Sequence, residues 1–323
     1  MRIRTLLLGR GLGGRVFHAP LIQAVPELEL VGLAGAADAA AAAVSDRADL
    51  VVVSTPNRTH FPLARAALEA GKHVVVDKPF AVTVAEADAL IALAAERERV
   101  LTVFHNRRWD GDFLTVKRLL ADGRLGRPLL LEAHWDRFRP ELRDGWKEEP
   151  AEGAGLLLDL GPHMVDQALQ LFGRPEALSA DLGTQRLGSR VEDYFALTLH
   201  YGPLRVLLSA AMMVAEARPR FAAHGSVGSY VKHGLDPQEA QLKAGACPGD
   251  TGLPAGDGTL TLGDGRRETV PTERGRYLAF YEGVADAILR GAPAPVAADD
   301  ARDGLRLIDL ARTSAREGRR VPI

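Results

Sequence analysis

Arg4-Thr5-Leu6-Leu7-Leu8-Gly9-Arg10-Gly11-Leu12-Gly13-Gly14 sets a short apolar run directly against a glycine-rich turn. Residues 4–8 read as a parallel strand covered on both faces, because the run is short, apolar and closed by glycine. Gly9, Gly11 and Gly14 satisfy G-x-G-x-x-G. A helical pattern through Val16, Leu21, Ile22 and Val25 follows, and a second strand spans 28–33. Strand, glycine turn, helix, strand is the context that separates a dinucleotide-binding turn from chance glycines. The first glycine permits the tight turn and the second lets backbone approach a pyrophosphate. The third lets helix pack on strand, and the helix N-terminus adds partial positive charge. The competing reading is a purely structural glycine loop.

Gly35 to Val44 is almost pure alanine, broken by Asp38, before the next strand opens at Asp49-Leu50. Roughly a dozen residues leave room for one short helix and no additional strand. A doubly wound sheet of order 3-2-1-4-5-6 would then lack its edge strand, leaving 2-1-4-5-6 contiguous. The spacing therefore predicts a trimmed Rossmann domain. The same trimming leaves the choice between NAD and NADP open, since Leu33-Ala34-Gly35-Ala36 carries no acid or base and Asp38 is the one nearby acid.

Polar residues gather at the ends of the following strands. The strand at 50–54 ends in Ser54-Thr55-Pro56-Asn57 with His60 beyond it, and the strand at 100–104 ends in His105-Asn106-Arg107-Arg108-Trp109. Between them, Val74-Val75-Val76-Asp77-Lys78-Pro79 delivers an ammonium group to the end of an apolar strand that proline stops. In open α/β sheets that end faces the ligand crevice. Burial and neighbours can tune a lysine there. The plainer alternatives are a strand-terminating surface lysine and loop ends that are polar for solvation.

After a helix at 110–122 the pattern becomes β-rich, with strands at 129–135, 194–201, 205–211, 221–224 and around Ser229-Tyr230-Val231. Their alternation suits an open sheet with one covered face. Within this half, Asp159, His163 and Asp166 stand at i, i+4 and i+7, one face of a helix. Pro162 marks either that helix's first turn or an interruption of a helix begun near Leu156. Oxidising a secondary alcohol requires a proton to leave as hydride departs, work suited to a histidine titrating near neutrality. A carboxylate can orient that imidazole, and an ammonium can stabilise alkoxide character. The alternative is a capping acid and a satisfied buried histidine.

The 323 residues carry net charge −2, with 46% hydrophobic and 25% charged residues. That balance fits a globular protein of one large or two medium domains, with no bias toward nucleic acid or an anionic membrane. One cysteine, Cys247, rules out an internal disulfide framework and fits a reducing cytoplasm. It lies among Gly245, Pro248 and Gly249 without a nearby histidine, a poor setting for a nucleophile. The run at Leu6-Leu7-Leu8 is too short for a signal sequence, and no stretch reaches the roughly 20 apolar residues of a membrane span. A cytoplasmic location is the expectation, and no metal-ligand set is assigned.

In this order, the glycine turn, Thr55-Pro56-Asn57 with His60, Asp77-Lys78-Pro79 and Asp159-x-Gly161-x-His163-x-x-Asp166 resemble the Gfo/Idh/MocA oxidoreductases. The likeness continues through Tyr277, Phe280-Tyr281, Gly291-x-Pro293-x-Pro295-Val296, Ser314 and Gly318, and so covers essentially the whole chain. Phe17-His18-Ala19-Pro20, Phe104 to Asp110 and Gly228-Ser229-Tyr230-Val231-Lys232 to Gln238 resemble the bacterial YdgJ-type branch.

The resemblance implies an α/β protein with a Rossmann domain over 1–122. A second α/β domain would span 123–323 and carry a large open, mostly antiparallel sheet. The helix at about 299–317 would pack back on the first domain. It implies NAD or NADP as cofactor, a sugar-like small molecule as substrate and a dimer or tetramer formed through the open sheet. Lys78, Asp159 and His163 are the expected catalytic set, with His163 the acid/base. Expected cofactor contacts are Gly9, Arg10, Gly11, Leu12, Gly14, Thr55, Pro56, Asn57, His60, Asp77, Lys78 and Asn106. Arg108 and Trp109 would join Asp159 and His163 at the substrate. Two departures stand out: Asp77 replaces a more usual glutamate, and the adenosine side is shortened after Gly35. A cofactor-binding sensor that lost catalysis, and an aldehyde or dihydrodiol-type reductase, are the competing activities.

Overall fold

The structure, a computed structural model, describes residues 2–142, 148–150 and 153–323. In chain order the elements begin with β1 (Ile3–Leu8), a π-helical segment (Gly13–His18) continuing into α1 (Ala19–Ala24), β2 (Leu28–Ala34), α2 (Ala39–Ala43) and β3 (Leu50–Val53). Then come α3 (His60–Glu69), β4 (His73–Val76), α4 (Val84–Glu96), β5 (Leu101–Val103), α5 (Gly111–Ala121), β6 (Pro128–Asp136) and α6 (Leu156–Phe172). The remainder is β7 (Ala177–Gly183), β8 (Tyr194–Tyr201), β9 (Leu204–Ala211), β10 (Phe221–Gly225), β11 (Gly228–Lys232) and α7 (Gln238–Lys243). The chain closes with β12 (Gly258–Leu262), β13 (Arg267–Val270), α8 (Leu278–Arg290), α9 (Ala298–Glu317) and β14 (Val321–Pro322). Two compact units result, the first Met1–Trp109, Pro237–Leu253 and Arg276–Leu305, the second Asp110–Asp236, Pro254–Gly275 and Arg306–Ile323.

The first unit holds a five-stranded parallel sheet of order β2-β1-β3-β4-β5. This is the trimmed arrangement the alanine-rich spacer predicts, with the single short helix α2 between β2 and β3. Every residue of β3 and Val74–Val76 of β4 are fully buried, as continuous apolar runs must be when helices cover both faces. Each such valine or leucine contributes roughly 1.5–3 kcal/mol on burial. α4 starts on a reciprocal cap: Thr83 Oγ1 accepts from the Glu86 N–H at 3.2 Å, and Glu86 Oε2 accepts from the Thr83 N–H at 3.2 Å. That cap holds the segment that follows β4.

The second unit holds a nine-stranded sheet of order β13-β12-β11-β10-β6-β9-β8-β7-β14, antiparallel except for the β6–β9 pair. Phe195, Leu197 and Leu199 of β8 and Val206 and Leu208 of β9 turn to the buried face, where α6 packs. Gly155 opens α6 at φ +94°, and a Cβ there would stand 2.1 Å from Glu192 Oε1, so glycine is required. Pro162 lies inside α6, not in its first turn, so Asp159 and His163 are both helical and one turn apart. No helix among the described residues is long and apolar enough to cross a membrane.

Candidate functional site

Strand order reverses at β1, which has β2 on one side and β3 on the other. There the glycine turn meets the end of β3. A Cβ on Gly9, whose φ is +121°, would lie 2.0 Å from the Ser54 carbonyl oxygen. One on Gly14 would lie 2.1 Å from the Gly9 carbonyl, whereas one on Gly11 would meet nothing within 4 Å. Two glycines thus close the turn on itself, and the third leaves bare backbone facing open space. That is the concavity a pyrophosphate needs, and the residues present fit a dinucleotide. Leu12 is exposed beside it.

Arg10, also exposed, turns toward the end of β2. Its Nη2 donates to the Leu33 carbonyl at 3.2 Å, and its guanidinium lies about van der Waals distance from where a Gly35 Cβ would be (3.5–3.6 Å). The local sequence after β2 carries no base; the fold brings one from the glycine turn.

Thr55, Pro56 and Asn57 form the polar end of β3. Thr59 Oγ1 donates to the Pro56 carbonyl at 2.7 Å and lies 2.7 Å from Thr55 Oγ1, and Asn57 starts a one-turn 3-10 helix. His60 is buried, not turned to solvent. Its Nδ1 lies 2.8 Å from the Pro79 carbonyl and its Nε2 lies 2.9 Å from the Thr55 carbonyl. The ring therefore staples the loop after β4 to the loop after β3. Burial pulls its pKa down against the opposing charge of Asp77.

Asp77 ends β4 with both oxygens engaged. Oδ2 accepts from Ser54 Oγ at 2.9 Å and lies 3.3 Å from His18 Nε2, and Oδ1 accepts from the Lys78 N–H at 2.8 Å. Burial raises its pKa, but the contact with His18 and the charges of His18, Lys78 and His60 outweigh burial. The carboxyl is held well below the ordinary carboxylate range. Lys78 is half-buried and joined to Pro79 by a cis peptide bond.

The cluster after β5 is bound into the same unit. Asn106 and His105 are buried. Arg107 donates to the Tyr277 hydroxyl and to Glu239, whose carboxyl burial would raise but Arg107 and Lys243 bring down to about 2. Arg108 donates to Asp300 Oδ2 at 2.9 Å, so this arginine is ion-paired. Trp109 is half-buried and packs edge-on against Phe280, with ring centroids 5.9 Å apart.

In the second unit, His163 is buried and Asp159 half-buried on α6. The Trp135 ring of β6 lies nearly parallel to the His163 ring at 6.2 Å. Arg220, itself buried, places its guanidinium 5.0 Å from the Trp135 ring centroid. Arg220 also donates to Gln167 Oε1 at 2.7 Å and stands 3.7 Å from Asp112. A permanent cation braced by two partners thus backs the indole that contacts the imidazole. The sequence carried no local signal for this group, because its members come from α5, β6, α6 and the residue before β10.

Residues 38–105 match the NAD-binding Rossmann fold of an oxidoreductase family, and residues 117–323 match that family's C-terminal alpha/beta domain. The chain is 46% identical to the uncharacterized oxidoreductase YdgJ of Escherichia coli, with 97% of this chain and 96% of that protein covered. It is 37% identical to the scyllo-inositol 2-dehydrogenase (NADP(+)) IolW of Bacillus subtilis, covering 99% and 95%. A solved oxidoreductase structure from Yersinia pestis superposes with a TM-score of 0.94 at 45% identity, covering 100% of this chain and 97% of that one. With a nicotinamide-dinucleotide fold in its first unit and these relatives along its full length, the chain belongs to the Gfo/Idh/MocA oxidoreductase family.

Proposed function

We propose that this oxidoreductase moves a hydride between NADP and the secondary alcohol or ketone carbon of a polyol or sugar-like molecule. The observation that carries this reading is the glycine turn, closed by Gly9 and Gly14 and open at Gly11, with Asp77-Lys78 at a neighbouring strand end. When bound, the dinucleotide supplies the hydride acceptor or donor. In the oxidative direction Lys78 holds the substrate oxygen by hydrogen bonding and stabilises its growing negative charge. A ring nitrogen of His163 takes the hydroxyl proton, and Asp159, one helical turn away, orients the substrate or the ring. In reduction the same proton returns from His163 to the carbonyl oxygen. The inositol chemistry named for the Bacillus subtilis relative makes cyclic polyols the first substrates to test.

The preference for NADP rests on Arg10. An acid at the end of β2 would hold a ribose 2′-hydroxyl, whereas an arginine accommodates a 2′-phosphate. Here Gly35 and Ala36 follow β2, and the Arg10 guanidinium lies against Gly35. A charge-assisted contact is worth about 1.5–3 kcal/mol, or about 10- to 150-fold in affinity. Arg10→Ala is therefore expected to raise the Kd for NADPH by about 10-fold or more and that for NADH by less than about twofold. Fluorescence titration of both cofactors reads this directly. Equal weakening of the two would remove Arg10 as the discriminating group. In the same preparation, turnover of NADP with a panel of inositols and aldoses tests the reaction. Tight cofactor binding with no turnover on any member, in either direction, would turn the reading toward a sensor.

A further inference from the structure

His18 is completely buried, although a histidine beside a glycine turn would ordinarily reach solvent or a ligand. It closes the π-helical segment Gly13–His18, and its two ring nitrogens face different parts of the first unit. Nδ1 lies 2.6 Å from the hydroxyl oxygen of Tyr281 on α8, and Nε2 lies 3.3 Å from Asp77 Oδ2. The Nε2 approach is longer than the 2.9 Å Ser54–Asp77 bond. Phe104 stacks obliquely on the imidazole with centroids 4.4 Å apart, which fixes the ring plane.

Asp77, held ionised, only accepts, so Nε2 of His18 carries a hydrogen toward it. On the other side of the ring, Nδ1 meets the Tyr281 hydroxyl and its proton at an N–O distance of 2.6 Å. Burial, with the nearby charge of Asp77, raises the Tyr281 pKa well above the ordinary phenol value, so this proton is retained. Tyr281, His18 and Asp77 thus form one line, hydrogen-bonded at 2.6 Å on the tyrosine side and in electrostatic contact at 3.3 Å on the carboxylate side.

The line ends directly beneath the glycine turn. A Cβ on Gly13 would stand 2.7 Å from Ser54 Oγ and 2.9 Å from Asp77 Oδ2, so the turn rests on this pair. Asp77 in turn grips the end of β3 through Ser54 and the end of β4 through the Lys78 N–H. Its oxygens point to partners inside the unit. We propose that His18 and Tyr281 are positioning residues for dinucleotide binding: they orient the Asp77 carboxylate that clamps the glycine turn to the ends of β3 and β4. This rests on the reading of the glycine turn as the dinucleotide site. It assigns Asp77 an indirect part in cofactor binding.

The test is a double-mutant cycle on NADPH affinity. Tyr281→Phe keeps the ring and removes only the hydroxyl that holds His18 Nδ1, so the Kd is expected to rise about fivefold or more. At saturating cofactor, kcat should stay within about twofold. Asp77→Asn should weaken binding at least as much. In the Asp77→Asn background, adding Tyr281→Phe should change the Kd by less than about twofold, because the carboxylate that transmits the effect is gone. A merely structural role would lower the melting temperature without that coupling. A wild-type protein that binds neither NADPH nor NADH would sink the dinucleotide reading and this inference with it. Binding by wild type combined with an unchanged Tyr281→Phe affinity, or with effects that multiply in the double variant, would overturn this inference alone.

Discussion

Lys78→Ala is expected to lower kcat by on the order of 10²-fold or more while the Kd for NADPH stays within about threefold of wild type. The asymmetry follows from where the ammonium acts. Charge on the substrate oxygen grows as hydride leaves the carbon, so the interaction is strongest in the transition state and its loss falls on kcat. Binding should survive because the backbone N–H of Lys78, which the substitution keeps, donates to Asp77. β4 also remains pinned by Val74, Val75 and Val76, all fully buried. Lys78→Arg would restore charge in a wider, planar group and should recover only part of the rate. Steady-state kinetics with cofactor titration in parallel separates these effects. A variant whose kcat stayed within about threefold would take the lysine out of the chemistry, and an equal loss of cofactor affinity would recast it as a binding residue.

His163→Asn should reduce kcat/KM for alcohol oxidation by about 10²- to 10⁴-fold, the range for a lost general base. It should also flatten the limb of the pH–rate profile that the imidazole controls. The fold should tolerate the change, since α6 is held by its apolar face against β8 and β9 and His163 is one polar residue among many buried leucines. Trp135→Phe offers a graded companion, keeping an aromatic surface against the imidazole while weakening the contact with Arg220. A profile that keeps its wild-type shape in His163→Asn would assign proton transfer to another group. Asp159→Asn, measured alongside, shows whether the carboxylate is needed for the rate or only for substrate affinity.

The parts legible in the sequence are those encoded over short spans. The glycine turn announces itself because backbone at 9, 11 and 14 must do what side chains forbid. The missing edge strand was legible as a length: the spacer after Gly35 is too short for anything but α2. β3 and β4 read cleanly because burial on both faces makes them almost uninterrupted valine and leucine. Long-range partners were not legible. Nothing near Arg10 says that it will reach the Leu33 carbonyl, and nothing near His18 points to Tyr281, 263 residues later. The position of Pro162 was ambiguous because proline fits a first turn as well as an interrupted helix; the helix begins at Leu156, ahead of it. β7 escaped notice because Ala177–Gly183 carries little apolar alternation, and β13 and β14 because they have only four and two residues and take their register from neighbours; β12 alternates and was also missed.

The first unit is assembled from three separated stretches, and this bears on how the protein is made. Thr102 at the edge strand β5 donates to the Val296 carbonyl at 2.7 Å, Phe104 packs edge-on against Phe280, and His18 waits for Tyr281. A nascent polypeptide halfway out of the ribosome has all five parallel strands but none of these later partners. Until residues 276–305 emerge, His18 and Phe104 are left uncovered, and closing loops of roughly 180 to 260 residues is slow. The apparently self-contained amino-terminal half therefore stays incomplete until residues 276–305 have been made.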